Sequence, residues 1–381
     1  MSLVANWSYP TAIRFGAGRV AELPDACAQL NIKRPLFVTD AGLASLPITA
    51  QALGVLETAG LGNAIFSEVF PNPDENSLAK GLKRYADGNH DGVVAFGGGS
   101  AVDLAKLIAF MQGQTRSVWD YEDVGDWWTR ANPDTIAPII AVPTTSGTGS
   151  EVGRASVLTN SKSHVKKIIF HPKILPSIVI CDPELAVGMP PVITAGTGLD
   201  AFIHSFEAFC SPFYHPMSQG IALEGMRLVK DNLLKAYKDG SDIEARGHMM
   251  SAAAMGATAF QKGLGAVHAL SHPVGAVYNT PHGMTNAIAL PAVVRFNRPA
   301  IEDRVCLLAA YLGIEGGFDG FYDWLVGFSR ALNVPEKLSA IGVDRLQIDL
   351  LAQMAVEDPS AGGNPITLTP EITKALYEEI I

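Results

Sequence analysis

The stretch Gly92-Val-Val-Ala-Phe-Gly97-Gly98-Gly99-Ser100 decides the architecture of the first half of the chain. Its apolar residues predict a buried strand, its glycines a tight turn, and the following residues a helix. Glycines let a backbone approach a phosphate closely, and the N–H groups of a helix start favour negative charge. A tight turn without a ligand explains the same residues equally well. The G-x-G-x-x-G fingerprint is absent because Val102 occupies the third glycine position, so the sequence predicts at most a Rossmann-like variant.

Short apolar runs and helical patterns alternate on both sides of this stretch, which is typical of a parallel sheet with crossover helices. The predicted strands are 11–15, 35–40, 64–70, 92–97, 137–143 and 178–182, with a hairpin formed by 156–158 and 165–170. Residues 119–133 are irregular, acidic and rich in tryptophan, and fit either a solvated loop or the wall of a substrate site.

From Pro190 onward helical periodicity replaces the strand signals. The predicted helices are 192–210, 215–237, 242–262, 265–277, 284–296, 300–312, 319–331, 344–356 and 370–380. The sequence therefore predicts an α/β N-terminal Rossmann-like parallel-sheet domain, residues 1–188, followed by an all-α C-terminal domain, residues 189–381.

Composition narrows the classes of function. The chain has 381 residues and a net charge of −10, which argues against nucleic acid and anionic membranes as partners. Four cysteines without a C-x-x-C pair indicate reduced thiols in a cytoplasmic protein. The first residues lack the features of a signal peptide, and no uncharged run is long enough to span a bilayer.

The helical half holds a candidate metal site. Asp200 and His204 are four residues apart, so a helix places both on one face. His268 and His282 come from two further elements. One carboxylate and three imidazoles suit a borderline divalent ion, Fe²⁺ or Zn²⁺, and leave the open coordination position that a catalytic metal needs.

The Asp200-x-x-x-His204, His268-x-x-x-His272 and Pro281-His282-Gly283 motifs together resemble the iron-dependent (group III) alcohol dehydrogenase family over nearly the whole chain. The segment from Pro143 to Glu151 is similar to the family's Pro-Thr-Thr-x-Gly-Thr-x-Ser-Glu signature. The resemblance implies that the triple-glycine turn and this segment bind NAD, and that the metal is Fe²⁺, with Zn²⁺ as the second choice. The implied cofactor-binding residues are Asn72, Gly97, Gly98, Gly99, Ser100, Asp103, Thr144, Thr145, Thr148, Ser150 and Lys166, the last aligning better than Lys167. A homodimer or larger homo-oligomer is implied as well.

A dinucleotide site and a metal predict hydride transfer between NAD and an alcohol or aldehyde, by default a small to medium primary one. We expect the reaction to take place where the two halves meet. His272, one helical turn after His268, suits a proton relay, although a structural histidine before Pro273 explains it equally well. Asp40 ends the second strand, where a carboxylate favours the ribose hydroxyls of NAD and repels the 2′-phosphate of NADP. It can instead cap the following helix.

Three alternatives remain. A dehydroquinate-synthase-like lyase or a glycerol-dehydrogenase-like enzyme also combines a metal with a nicotinamide. The lyase requires several Lys and Arg aimed at a phosphorylated acid, and few lie near the proposed ligands. A metallohydrolase requires a second carboxylate as base; Glu207 is the only near candidate, and we expect it to be a helix-face residue.

Overall fold

The computed structural model describes residues 5–7, 10–163 and 165–381. The chain divides into two compact units. The first unit comprises residues 1–145 and 149–187, and the second comprises residues 188–381 together with the short segment 146–148. The first unit is an α/β structure with a parallel sheet and the second is helical, so the predicted fold class is confirmed.

The strands of the first unit are β1 Ala5–Trp7, β2 Ala12–Phe15, β3 Pro35–Val38, β4 Ile65–Phe66, β5 Gly92–Gly97, β6 Ile139–Pro143, β7 Ala155–Asn160, β8 Val165–Phe170 and β9 Ile178–Cys181. Seven of them form a sheet with the order β1-β2-β9-β6-β5-β3-β4. All neighbouring strands are parallel except β1, which pairs antiparallel with β2 at the edge. Strands β7 and β8 form a separate antiparallel hairpin.

Helices cover this sheet because its central strands are apolar on both faces. The helices of the first unit are α1 Leu23–Gln29, α2 Pro47–Thr58, α3 Glu75–Asp87 and α4 Gly99–Met111. Helices α1 and α2 pack with Phe37, Phe96 and Ile140 in one core. Helix α4 contacts β5 and β6 and is buried along nearly its whole length.

The predicted strand 64–70 is much shorter in the structure. Only Ile65 and Phe66 pair, opposite Phe37 and Val38. Strand β4 lies at the edge of the sheet and has β3 as its single neighbour, and β3 ends at Val38. The apolar residues beyond Phe66 therefore have no strand against which to continue the ladder.

The second unit consists of helices around one apolar core. They are α5 Pro191–Cys210, α6 Pro216–Lys238, α7 Ile243–Ala259, α8 Ala266–Tyr278, α9 His282–Tyr311, α10 Gly317–Ala331, α11 Ile348–Glu357 and α12 Pro370–Ile380. Among the described helices, none combines the length and the hydrophobicity that a membrane span requires.

The two helices predicted for 284–296 and 300–312 form one continuous helix, α9, which passes through Pro291 and Pro299. A proline inside a helix removes one backbone hydrogen bond and is usually a sign of a break. Here the buried positions continue on both sides of Pro299, with Val294 before it and Ile301 and Val305 after it. Packing of this apolar face compensates for the lost hydrogen bond, and the expected break does not occur.

Candidate metal centre and cofactor loops

Helix α5 carries three ionisable side chains into the interior of the second unit. Asp200, His204 and Glu207 recur at spacings of four and three residues, so they lie on one face of the helix. Their exposed fractions are 2%, 5% and 5%. Because burial of ionisable groups is costly unless they are paired or bind an ion, this face of α5 requires polar partners.

Two further helices bring imidazoles to the same face. His268 lies in the first turn of α8, and His282 is the first residue of α9. Helices α5 and α9 approach so closely that a Cβ on Gly283 would lie 2.3 Å from the carbonyl oxygen of Gly196. The backbone beside His282 therefore packs directly on the turn of α5 that precedes Asp200.

The Nε2 atoms of the three imidazoles surround one carboxylate oxygen. Asp200 Oδ1 lies 3.7 Å from Nε2 of His204 and 3.6 Å from Nε2 of both His268 and His282. These separations are longer than hydrogen bonds. Two atoms that each lie about 2.1 Å from one ion at a tetrahedral angle are about 3.4 Å apart. The spacing therefore fits a shared cation, and one ligand atom each from Asp200, His204 and His268 lies within 4.8 Å of the other two.

The amide of Asn286 lies beside the same atoms, one turn after His282. Its Nδ2 donates to Asp200 Oδ1 at 2.8 Å and is 3.2 Å and 3.1 Å from Nε2 of His268 and His282. Its Oδ1 is buried and accepts no hydrogen bond within the described part of the chain. A buried acceptor without a donor is unusual. The carboxylate and the three imidazoles beside this amide fit the presence of a bound cation.

Charge is distributed unevenly within this group. Burial opposes ionisation of Asp200, but the nearby imidazoles outweigh it and hold the pKa of this carboxyl far below its usual value. Burial lowers the pKa of His204 to about 4, with Asp200 partly opposing the shift. Burial also opposes protonation of His268, yet the carboxylates of Glu207 and Asp200 raise its pKa to about 10. The site thus attracts positive charge, as a cation site must.

Glu207 contacts the other nitrogen of His268. Its Oε2 lies 2.6 Å from His268 Nδ1, and its Oε1 accepts a hydrogen bond from the backbone N–H of Val267 at 2.7 Å. The side-chain oxygen of Asn364 accepts from the neighbouring N–H of Ala266 at 3.1 Å. Two side chains from distant parts of the sequence therefore cap the N-terminus of α8.

His272 is held by a second carboxylate. Its ring stacks on that of His282, with centroids 5.4 Å apart, and its Nδ1 lies 2.9 Å from Asp358 Oδ2. Burial opposes ionisation of Asp358, but His272 keeps the pKa of this carboxyl below its usual value. An ionised carboxylate only accepts hydrogen bonds, so Nδ1 of His272 donates and Nε2 is the nitrogen that can take up a proton.

The two predicted cofactor loops meet at one edge of the sheet, because β5 and β6 are parallel neighbours. The N–H of Thr144 donates to the carbonyl of Gly97 at 3.1 Å. A Cβ on Gly98 would lie 3.3 Å from the side chain of Thr145. Gly97 has a φ of 145° and lies against Ala101, where a Cβ would be only 2.8 Å from the alanine Cβ. The turn continues directly into α4, which begins with Gly99 and Ser100.

A partly buried hydrogen-bond network holds the second of these loops. Lys106, which is completely buried, donates to the carbonyl and hydroxyl oxygens of Ser150 at 3.0 Å and 3.1 Å, and to the carbonyl of Ala155. Asp103 accepts from the Ser150 hydroxyl at 2.5 Å and from the N–H of Val157 at 3.0 Å. Two of the predicted cofactor residues, Asp103 and Ser150, are thus bonded to each other.

The same network has shifted protonation equilibria. Burial lowers the pKa of Lys106 to about 8, although Asp103 and Glu151 oppose the shift. Burial raises the pKa of Glu151 to about 7. Burial also raises the pKa of Asp103, against the effects of Lys106, Ser150 and Lys166.

The hairpin separates the two candidate lysines. Lys166 and Lys167 are adjacent on β8, so their side chains leave opposite faces of the strand. Lys167 forms an ion pair with Glu122 at 3.0 Å. Lys166 is near enough to Asp103 to lower the pKa of that carboxyl. This arrangement favours Lys166 as the residue on the side of the cofactor loops.

Asp40 has two different surroundings. Its Oδ1 accepts hydrogen bonds from the N–H groups of Gly42 and Leu43 at 2.9 Å and 3.0 Å, so it does cap the turn that follows. Its Oδ2 lies 3.6 Å from the position of a Cβ at Gly97, beside the predicted dinucleotide turn. Two predicted cofactor residues remain. Asn72 comes after β4 and has a φ of 56°. Thr148 belongs to the short segment 146–148, which is part of the second unit.

Family models match both halves of this chain. The model described as iron-containing alcohol dehydrogenase matches residues 10–183, and the C-terminal model of the Fe-containing alcohol dehydrogenase family matches residues 194–381. The chain belongs to the iron-containing alcohol dehydrogenase family. The predicted family and class of enzyme are confirmed.

Relatives of this iron-containing alcohol dehydrogenase match nearly all of its length or all of it. A 4-hydroxybutyrate dehydrogenase of Cupriavidus necator is 38% identical over 370 residues, which are 94% of each chain. The crystal structure of a 1,3-propanediol oxidoreductase has a TM-score of 0.92 at 33% identity and covers 100% of this chain and 99% of its own. A sulfoacetaldehyde reductase from Bifidobacterium kashiwanohense, solved in complex with NAD⁺, has a TM-score of 0.87 at 30% identity and covers 100% of this chain and 98% of its own.

Sequence reasoning missed three side chains that touch the imidazoles. Glu207, expected to be an ordinary helix-face residue, is buried against His268, and its spacing from Asp200 and His204 was a usable signal. Asn286 follows His282 by four residues and carries the same kind of signal. Asp358 reaches His272 across 86 residues of sequence, and no local pattern marks it.

Proposed function

We propose that this protein is an NAD-dependent, metal-dependent dehydrogenase that interconverts a primary alcohol and its aldehyde. The observation that carries the proposal is the arrangement of three imidazole Nε2 atoms at 3.6–3.7 Å from one buried carboxylate oxygen. Such a set of hard and borderline donors suits a catalytic divalent ion.

Asp200, His204, His268 and His282 would hold this ion, with Fe²⁺ as the first candidate, from the family, and Zn²⁺ as the second. A bound metal of this kind acts as a Lewis acid that lowers the pKa of an alcohol or polarises an aldehyde carbonyl. The second domain, residues 189–381, would be the metal-binding catalytic domain.

The first domain, residues 1–188, would bind NAD. The closely packed glycine turn and the hydroxyl-rich loop offer backbone N–H groups to a pyrophosphate. The proposed cofactor-binding residues are Asp40, Asn72, Gly97, Gly98, Gly99, Ser100, Asp103, Thr144, Thr145, Thr148, Ser150 and Lys166. Of these, Asp103 and Ser150 are hydrogen-bonded to each other and hold the second loop in place. A neighbour solved with NAD⁺ supports this cofactor.

His272 would move the proton. Its Nδ1–H donates a hydrogen bond to Asp358, so its Nε2 takes up the proton that the alcohol loses and returns it when the aldehyde is reduced. Its position beside His282 keeps this nitrogen close to the proposed ligands.

The substrates named for the relatives share one chemical feature. 4-Hydroxybutyrate and 1,3-propanediol carry a terminal CH₂OH group, and sulfoacetaldehyde carries the corresponding terminal aldehyde. This supports a small to medium primary alcohol or aldehyde as substrate here.

The experiment that tests the function is a spectrophotometric assay at 340 nm. Protein reconstituted with Fe²⁺ or Zn²⁺ is mixed with NAD⁺ and a panel of primary alcohols, and with NADH and the matching aldehydes. We expect metal-dependent formation or consumption of NADH. No absorbance change with any alcohol, polyol or aldehyde would overturn the proposal in favour of a dehydroquinate-synthase-like lyase, while activity confined to glycerol would indicate the glycerol-dehydrogenase-like alternative.

We further propose a cytoplasmic homodimer or larger homo-oligomer. All four cysteines are free and three are buried, which supports a reducing compartment. The net charge of −10 supports small-molecule substrates over nucleic acid or membrane partners. Light scattering after size-exclusion chromatography measures the oligomeric state directly.

A further inference from the structure

Glu207 is a buried carboxylate that none of the proposed steps uses. Its two oxygens are both engaged, one by Nδ1 of His268 at 2.6 Å and the other by the N–H of Val267 at 2.7 Å. The exposed fractions of Glu207 and His268 are 5% and 1%. A short hydrogen bond between groups this deeply buried is held in one geometry, because neither side chain has water as an alternative partner.

The two nitrogens of an imidazole point in opposite directions. Glu207 contacts Nδ1 of His268, while Nε2 faces Asp200 Oδ1 at 3.6 Å. Glu207 therefore lies behind the ring and is not itself aimed at the candidate metal position. A carboxylate in that place keeps the proton on Nδ1 and directs the Nε2 lone pair forward.

We infer that Glu207 is a positioning residue for the metal centre: it fixes the orientation and tautomer of His268 and so raises the affinity of the site for its ion. This inference rests on the proposed function, since it needs the metal to bind at His268. It goes beyond the expectation that Glu207 is a helix-face residue.

A purely structural role is the competing explanation, because Glu207 also caps the N-terminus of α8. Asn364 provides a matched control. It caps the same helix end through the N–H of Ala266, and its amide nitrogen donates to Asn297 and to the carbonyl of Ile366 rather than to the imidazole. The variant Glu207→Gln keeps a side-chain oxygen for the cap but loses the charge that holds Nδ1–H of His268.

The test measures metal affinity, not activity. Metal-free native protein, Glu207→Gln, Asn364→Ala and His268→Ala are titrated with Zn²⁺ against a chelating dye and with Co²⁺, whose d–d absorption reports the ligand geometry. We expect Glu207→Gln to bind Zn²⁺ about 10–100-fold more weakly than the native protein, with an altered Co²⁺ spectrum. Asn364→Ala should lose thermal stability yet bind Zn²⁺ within about twofold of the native affinity. NADH affinity should be unchanged in Glu207→Gln.

Equal Zn²⁺ affinity in native protein and Glu207→Gln, with binding lost in His268→Ala, would overturn the inference and leave the proposed function standing. Failure of the native protein to bind either ion, or native affinity in His268→Ala, would overturn both. If Glu207→Gln does not fold, ¹⁵N NMR of histidine-labelled native protein with Zn²⁺ decides. A proton on Nδ1 and metal on Nε2 of His268 support the inference, and the reverse assignment contradicts it.

Discussion

Each unit of this protein holds a cluster of charged and polar side chains around a buried residue, and the contacts within the two clusters differ. In the first unit, Lys106, Asp103 and Ser150 are joined by direct hydrogen bonds of 3.1 Å or less. In the second unit, Asp200 Oδ1 and the three Nε2 atoms around it are 3.6–3.7 Å apart, too far for hydrogen bonds.

This difference distinguishes a structural network, which we call the frame, from a cluster that is suited to bind an ion. A buried network whose donors and acceptors are matched within the chain fixes a backbone, here the loop that follows β6, and has no need of a ligand. In the second cluster the lone pairs of the carboxylate and the imidazoles converge at distances too long to pair with one another, an arrangement that suits a shared cation. Similar burial and similar residue types therefore predict different responses to metal, to pH and to substitution.

Removal of one imidazole from the cluster of the second unit tests this difference most strongly, and we expect it to have the largest effect. We expect His268→Ala to lose the metal and to lower kcat/KM by about a thousandfold or more, because a bound Lewis acid lowers the activation barrier by several kcal/mol. The protein should remain folded, since the site is completed by an ion and not by the chain. Metal analysis and circular dichroism check this; full metal occupancy in the variant would exclude His268 as a ligand.

The stabilisation contributed by Glu151, which belongs to the network in the first unit, should depend on pH whether or not metal is present. The raised pKa of Glu151, about 7 against 4.5, means that the folded chain retains a proton which the unfolded chain releases in that interval. Stabilisation from this group is therefore complete below about pH 4.5 and is lost as the pH rises through about 7, a change of about 3 kcal/mol.

Glu151→Gln removes this titration. We expect the thermal stability of the variant, relative to the native protein, to improve steadily from pH 4.5 to pH 7 and then to level off. The measurement is Tm by calorimetry at each pH, with and without Zn²⁺. A constant difference across this range would show that the carboxyl group is not held protonated in the folded chain.

His272 sharpens the comparison because it lies beside the metal cluster yet is already paired, with Asp358. We expect His272→Ala to retain its metal and to lower kcat about a hundredfold in the direction of alcohol oxidation, as loss of a general base does. Added imidazole should restore part of the rate. An unchanged pH–rate profile would make His272 a structural residue, and loss of the metal would make it part of the ligand set.

Asp40 tests the first unit, where one carboxylate has both a structural contact and a proposed cofactor contact. Its Oδ1 belongs to a turn, and its Oδ2 lies beside Gly97. Asp40→Asn keeps an acceptor for the turn but removes the charge that would repel a 2′-phosphate. We expect the native protein to prefer NAD, and the variant to shift the kcat/KM ratio toward NADP by about tenfold, roughly 1.4 kcal/mol. Asp40→Gly serves as the control that also removes the turn acceptor; equal use of both cofactors by the native protein would refute the assignment.

Local patterns were sufficient for most of the fold, and they singled out the four residues proposed as metal ligands. The alternation of strands and helices predicted the sheet, and the four-residue spacing of Asp200 and His204 predicted their common helix face. What failed depended on packing between distant segments. The extent of β4 is limited by its neighbour, α9 continues through Pro299 because its apolar face does, and Asp358 meets His272 only in the folded chain.

The contact between Gly283 and Gly196 limits how this protein can change. Any side chain at position 283 would enter the backbone of α5, and the displaced helix carries Asp200 and His204. In mutagenesis libraries that vary this position, we expect most variants to be inactive, whichever substrate is used for selection. Lineages in which the substrate has diverged should therefore accumulate their changes elsewhere, and the junction of the two helices should act as a fixed reference point during both natural and laboratory evolution.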